Sequence, residues 1–309
     1  MKRAISVLMV LVLTITACIS LSGCGKNGAD YVVGVCQLME HESLDQATKG
    51  FQDALKAELE KEGKTVEIDV QVAGETNYCA TVVNAFTAKN VNLIMANATP
   101  ALIAAANATD KIPVLGTSVT DYEDTFSGKI PANVSGTSDA VPFDEQAEMM
   151  IETLGLKEGD LVGVLYCSNE SNSKIQYEAV KALFEAKKIK VKAYTFSETT
   201  ELQALTTAAA GECKALYVPS DNTVAENDSI VGTICNDKKV PVYTSYGGKI
   251  CYASLAIDYY KLGEETGKMA AQILLGNKTP ADYEVATLTP AVTYNEDLCA
   301  TLGIEVPKA

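Results

Sequence analysis

The chain has 309 residues, of which 47% are apolar and 21% charged, and a formal net charge of −15. That length exceeds what one ordinary core fills and suits two domains. The excess of acid repels phosphate backbones and no basic aromatic patch offsets it, which excludes nucleic acid as a partner.

At the start, Lys2 and Arg3 precede the apolar run Ile5–Ile19 and the small-residue ending Leu21-Ser22-Gly23-Cys24. A charged start, a short apolar core and small residues at the cut make residues 1–23 a signal peptide; the run is too short for a membrane span. The last four residues resemble a lipobox, in which the cysteine becomes the lipidated first residue of the mature protein, so Cys24 is the expected anchor and residues 24–29 a tether. Removing residues 1–23 takes away two cations and no acids and leaves a net charge of −17. The remaining Cys36, Cys79, Cys167, Cys213, Cys235, Cys251 and Cys299 are odd in number and form no C-x-x-C pair, so neither a disulfide framework nor a zinc site is expected. They read as small core residues of a protein in a reducing exterior.

Tyr31–Gln37 reads as an apolar strand, and Leu44, Ala47, Phe51, Leu55 and Leu59 then recur at helical spacing until Gly63 stops them. Val66–Val72 alternates as a strand. A helix follows near Tyr78–Ala88, then a strand over Leu93–Ala96, a helix opened by Thr99-Pro100 and a strand over Pro113–Gly116. This alternation predicts an α/β fold with parallel sheets covered on both faces. The second half repeats it. Val33-Gly34-Val35 is echoed by Val162-Gly163-Val164, with a loop at Ser168–Ser173 and a helix around Ile175–Ala186. Leu93–Pro100 parallels Leu216–Thr223, and Ile112–Ser118 parallels Val240–Ser245. Three echoes in one order imply two similar Rossmann-like lobes.

In open parallel sheets the ligand lies beyond the carboxyl ends of the strands, so the loops of two facing lobes line one cleft. Those loops carry Glu40, His41, Thr99, Ser118, Thr120, Asp121, Glu170, Asn172, Asp221, Asn222, Ser245 and Tyr246. The set is rich in hydrogen-bonding groups and poor in catalytic ones. His41 is the lone histidine, and no G-x-S-x-G elbow, H-E-x-x-H site, P-loop or G-x-G-x-x-G occurs. Glu40-His41-Glu42 reads as a solvated helix entry rather than a metal corner. Asp221, between an apolar strand and a helix start, fits either a helix cap or a binding residue.

Glu40-His41 with Leu44-Asp45, Ala98-Thr99-Pro100, Ser118-Val119-Thr120-Asp121, Ser135–Asp139, Glu170-x-Asn172-Ser173, Pro219-x-Asp221-Asn222-Thr223 and Ile257–Gly263 together resemble the substrate-binding lipoproteins of ABC transporters, in the group with tryptophan-binding members. The resemblance spans nearly the whole mature chain in order. It implies a type I periplasmic-binding-protein fold whose two lobes are joined by a hinge, with lobe one at 30–140 plus 258–282 and lobe two at 141–257 plus 283–309. It implies no cofactor and no enzymatic activity. The expected partners are an amino acid, a permease with its ATPase, and the bacterial cell membrane reached through lipid on Cys24, with the protein itself a monomer outside the cytoplasm.

The same resemblance assigns roles. Asp221, with Asn222, would take the ligand's ammonium. Thr99 at a helix N-terminus, with Ser118 and Thr120, would take the carboxylate. Glu40 and Asp121 would hold the ammonium or order loops, and Glu170 and Asn172 would close in from the second lobe. Two departures bear on the ligand's side chain: Cys167-Ser168-Asn169 where family members often carry Asn-Pro-Ser, and Tyr246-Gly247-Gly248 where an acid often follows the serine. The resemblance implies an aromatic amino acid, tryptophan or tyrosine and then phenylalanine; Tyr246 would either stack on its ring, which adds a little to that reading, or fill the space left by a smaller ligand. A branched-chain amino acid or other small solute, and a sensor lipoprotein feeding a signalling partner, are the alternative readings.

Overall fold

The computed structural model describes residues 28–307. The expected signal peptide, Cys24 and most of the tether lie outside the described residues.

The first half builds β1 (Tyr31–Gln37), α1 (Glu42–Lys61), β2 (Val66–Val72), α2 (Cys79–Ala88), β3 (Leu93–Asn97), α3 (Thr99–Ala108), β4 (Val114–Val119), α4 (Tyr122–Thr125) and β5 (Val134–Ser138). The second half builds α5 (Phe143–Leu154), β6 (Leu161–Cys167), α6 (Ser171–Ala186), β7 (Lys190–Phe196), α7 (Leu202–Glu212), β8 (Ala215–Val218), α8 (Asn222–Glu226), α9 (Asp228–Lys238), β9 (Val242–Thr244) and β10 (Ala253–Ala256). α10 (Tyr259–Leu274), β11 (Ala286–Thr287), β12 (Ala291–Tyr294) and α11 (Glu296–Leu302) complete the described chain.

Two six-stranded sheets result, ordered β11-β5-β4-β3-β1-β2 and β12-β10-β9-β8-β6-β7. Among the described residues every pairing is parallel except β10 with β12. The sequence echoes fall on equivalent strands: β1 with β6, β3 with β8, β4 with β9. The repeated glycine has a packing reason. A Cβ on Gly34 would stand 2.5 Å from the Phe86 ring, and one on Gly163 would stand 2.6 Å from Leu216 Cδ2, so each strand lets a side chain settle onto its backbone. β1 alternates between two apolar layers, with Val33 and Val35 facing Phe51 and Leu55, and Cys36 facing Val83 and Phe86.

α10 returns to the first sheet and lies against α1. Their approach is close because both carry glycine at the contact: a Cβ on Gly263 would stand 1.9 Å from the Ala47 carbonyl oxygen, and one on Gly50 2.0 Å from that of Tyr260.

Three expectations need correction. The final change of sheet comes between Thr287 and Ala291 rather than after Asp282, because β11 pairs with the open edge of β5 and Tyr283 and Val285 pack into the first sheet's core. The strand expected to end at Gly116 runs on to Val119 through a bulge. The loop expected over Ser168–Ser173 is already helical from Ser171. Asn172 and Ser173 are loop-forming residues, but their side chains turn inward, to the Ser220 carbonyl at 2.8 Å and the Asp221 carboxylate at 2.7 Å, and tertiary bonds override local preference.

Candidate functional site

Parallel pairing puts the carboxyl ends of each sheet's strands on one side, and residues following strands of both sheets line one cleft. At its centre is a chamber of about 10 Å³, room for about one water. His41, Ser118 and Asp139 line it from the first sheet's side, Asp221, Asn222 and Tyr246 from the second's, with Tyr259 of α10 between. A cleft of about 680 Å³ adjoins it, sharing His41, Tyr246 and Tyr259, and another of about 540 Å³ opens beside Met39, Cys167, Glu170 and Thr223.

Strain marks the strand ends. Ala98, after β3, has φ 91° and ψ 156°, and Ser118, near the end of β4, has φ 55°. Residues with side chains rarely adopt such angles, at about 1–3 kcal/mol each, and they persist where neighbours over-determine them. Here the Ala98 N–H donates to the Thr117 carbonyl at 3.0 Å. The bent strand end leaves the Ser118 hydroxyl buried and without a partner.

Asp221 is fully buried, and its carboxylate is engaged. Oδ1 accepts the Val224 N–H at 2.9 Å, capping α8, while Oδ2 accepts the Cys167 N–H at 2.8 Å and the Ser173 hydroxyl at 2.7 Å. Glu170 is engaged even more fully: its oxygens accept from the backbone N–H groups of Asn222 and Thr223 and from the side chains of Asn222, Thr223 and Asn172, at 2.6–3.2 Å. Two acids thus cap one short helix, whose N-terminal N–H groups favour negative charge. Burial, with the Glu170 charge added, lifts the Asp221 carboxyl well above the usual carboxylate range. The helix-cap reading of Asp221 is the one its geometry satisfies; as sole holder of an ammonium it has little acceptor capacity left.

Asp139 is different. It follows β5, is 6% exposed, and accepts one hydrogen bond on each oxygen, from the Thr120 hydroxyl at 3.1 Å and the Tyr259 hydroxyl at 2.9 Å. Burial raises its carboxyl as well. Thr120 also accepts from Gln176 Nε2 of α6 at 3.3 Å, and Gln176 Oε1 accepts the Ser220 N–H at 3.0 Å. Across the cleft His41 Nε2 stands 3.2 Å from Asn222 Oδ1; burial lowers its pKa and keeps the ring neutral. The Tyr246 hydroxyl, like that of Ser118, is buried without a partner. No lysine or arginine lines the chamber, and the one arginine of the sequence is Arg3.

The remaining expected residues are dispersed. Glu40 is exposed in the larger adjoining cleft. Thr99 is buried at the first turn of α3 and does not line the chamber. Asp121 caps α4 through the Asp124 N–H at 2.9 Å and faces a separate cavity of about 500 Å³ beside Tyr283 and Val285. Ser245 is tied to Gln146 at 3.0 Å inside the second lobe. Asn172 holds the Ser220 carbonyl rather than facing the chamber. Asp139, Tyr259 and Gln176 were absent from the expected set. β5 is a strand of small polar residues around one valine, with no apolar signal to reveal it. Only the run Ser135–Asp139, already among the quoted motifs, pointed there.

The ABC transporter substrate binding protein family matches residues 32–309. A tyrosine-binding protein of Clostridioides difficile is 32% identical, over 98% of this chain and 93% of that one. The ABC domain from Streptococcus pneumonia in complex with L-Trp is 34% identical with a TM-score of 0.80, over 89% of this chain and 96% of that one. A ligand-free, open substrate-binding protein with adhesive properties from Clostridium difficile is 35% identical but has a TM-score of 0.67, over 90% and 96%. A glucose-galactose binding protein from Geobacillus stearothermophilus, at 15% identity and a TM-score of 0.64, shares the type I periplasmic-binding-protein fold.

Proposed function

Because this chain belongs to the ABC transporter substrate-binding protein family, we propose that it captures an aromatic amino acid, tyrosine or tryptophan before phenylalanine, and presents it to its permease. The family binds solutes and is not enzymatic, and its members work outside the cytoplasm with a transporter as partner. The observation that carries the ligand class is the chamber itself: the buried hydroxyls of Ser118 and Tyr246 have no partner, and they face buried acids with no cation among them. Buried polar groups need partners. A free amino acid brings an ammonium for the acid and a carboxylate for hydroxyl donors, and its ring would lie by Tyr246 and Tyr259, toward the adjoining cleft. The relatives that bind tyrosine and hold L-Trp support the same class.

The closed chamber is far too small for such a ligand, so entry requires the lobes to part about the hinge and close again around it. The finer reading of location is a monomer, lipidated on Cys24 after loss of residues 1–23 and held to the cell membrane by the tether 24–29. Among the described residues no helix is long and apolar enough to cross a membrane.

The sequence contains no tryptophan, so bound tryptophan emits against a dark background. Its emission is expected to shift to the blue and saturate, and tyrosine should compete it away. In a thermal-shift panel of the amino acids, a ligand that binds only the folded state raises Tm. Aromatic amino acids without effect at millimolar concentration, beside another solute that raises Tm, would overturn the aromatic assignment.

A further inference from the structure

We infer that Asp139, rather than Asp221, receives the ammonium of the ligand, and that it does so as part of the hinge. The inference rests on the amino-acid reading above. Both acids line the chamber, but three protein donors already occupy Asp221, two of them backbone N–H groups that no ligand displaces without undoing α8 and the end of β6. Asp139 accepts only two hydroxyls, one per oxygen. A carboxylate offers about four lone-pair sites, so each Asp139 oxygen keeps one for an incoming N–H. The chamber holds no fixed cation, and the buried carboxylate lacks a counter-charge until an ammonium arrives.

The position of Asp139 makes that arrival a signal. It lies between β5 and α5, where the chain first passes from one sheet to the other, and Tyr259 opens α10, just after the chain passes back from β10. The 2.9 Å bond between them straps the two crossings together. Thr120, its other donor, takes the bond from Gln176 of the opposite lobe. An ammonium on Asp139 therefore sits where both crossings and one interlobe bond meet, and charge neutralisation there favours the closed arrangement.

The test compares tyrosine with 3-(4-hydroxyphenyl)propionate, which lacks the ammonium, by calorimetric titration of the full-length protein. If neither tyrosine nor tryptophan binds the wild-type protein, the aromatic reading itself fails. If tyrosine binds, it is expected to bind at least about 30-fold more tightly than the propionate, since truncating one partner of a buried charge pair has effects of that order. Equal binding of the two overturns the inference without any variant. Asp139→Asn should collapse the tyrosine preference to a few-fold, while Asp221→Asn should lower Tm and keep the preference. A preference kept in Asp139→Asn, or lost only in Asp221→Asn, returns the ammonium to another acid. Circular dichroism of each variant separates lost binding from lost fold.

Discussion

Gln176 Nε2 stands 3.3 Å from Thr120 Oγ1, a hydrogen bond from α6 of one lobe to the end of β4 in the other. Thr120 passes the connection to Asp139 at 3.1 Å, so closure of the cleft and the chamber's acid share one hydroxyl.

Thr120→Val keeps the shape and removes that hydroxyl. Two hydrogen bonds go with it, one from Gln176 and one to Asp139, together about 1–3 kcal/mol, which should weaken ligand binding by about 5–150-fold. Small-angle scattering of the ligand-free variant should give a larger radius of gyration than wild type. An unchanged radius would mean the bond does not hold the lobes.

Asp221→Ala should act on stability. It removes the cap of α8, about 0.5–2 kcal/mol, and leaves the buried Cys167 N–H without its acceptor, about 1–3 kcal/mol more. Urea unfolding should show the sum, and loss of less than about 0.5 kcal/mol would refute the double role.

His41 gives a pH signature. Burial lowers its pKa below the usual imidazole value, against the opposing pull of Glu170, Asp45 and Asp228. Such a ring binds protons more readily in the unfolded chain, so its share of stability is present above about pH 6.5 and drains away as pH falls below it. Asp139 and Asp221, raised by burial, act oppositely: the folded protein holds their protons more tightly, and stability falls as pH rises above the usual carboxylate value. Tm scanned from pH 8 to 5 in His41→Gln should fall less, or rise more, toward the acid side than in wild type; superimposable profiles would remove His41 as a source of the pH dependence.

Gly263→Ala probes the return helix. Its Cβ would stand 1.9 Å from the Ala47 carbonyl oxygen, which belongs to backbone and cannot rotate away. Overpacking of this kind should destabilise by about 1–3 kcal/mol or more. Gly211→Ala, where a Cβ meets nothing within 4 Å, is the matched control in another helix.

Cys24→Ser tests the anchor. The variant should move from the membrane fraction to the medium and lose incorporation of labelled fatty acid. Continued membrane retention with no label in either protein would exclude lipid at Cys24.

The sequence alone determined most of the elements and their duplication; β5, a run of small polar residues with no apolar signal, is an exception. Hydrophobic periodicity is local, so Tyr31–Gln37 and Val66–Val72 are strands over the residues expected, and the echoed Val-Gly-Val runs occupy matching places in two sheets. The same reading brought His41, Ser118, Asp221, Asn222 and Tyr246 to one chamber, because strand order sends equivalent loops to one cleft. Tertiary structure decided which of the polar loop residues keep free capacity. Asp221 and Asp139 are each one acid at the end of a short segment, and nothing local tells them apart. Backbone donors from β6 and α8, far apart in sequence, fill the first. Only two hydroxyls reach the second, one of them from Tyr259, 120 positions along the chain. Hydrogen-bond saturation is a property of the assembled neighbourhood, and it exists only once the strands have been placed side by side.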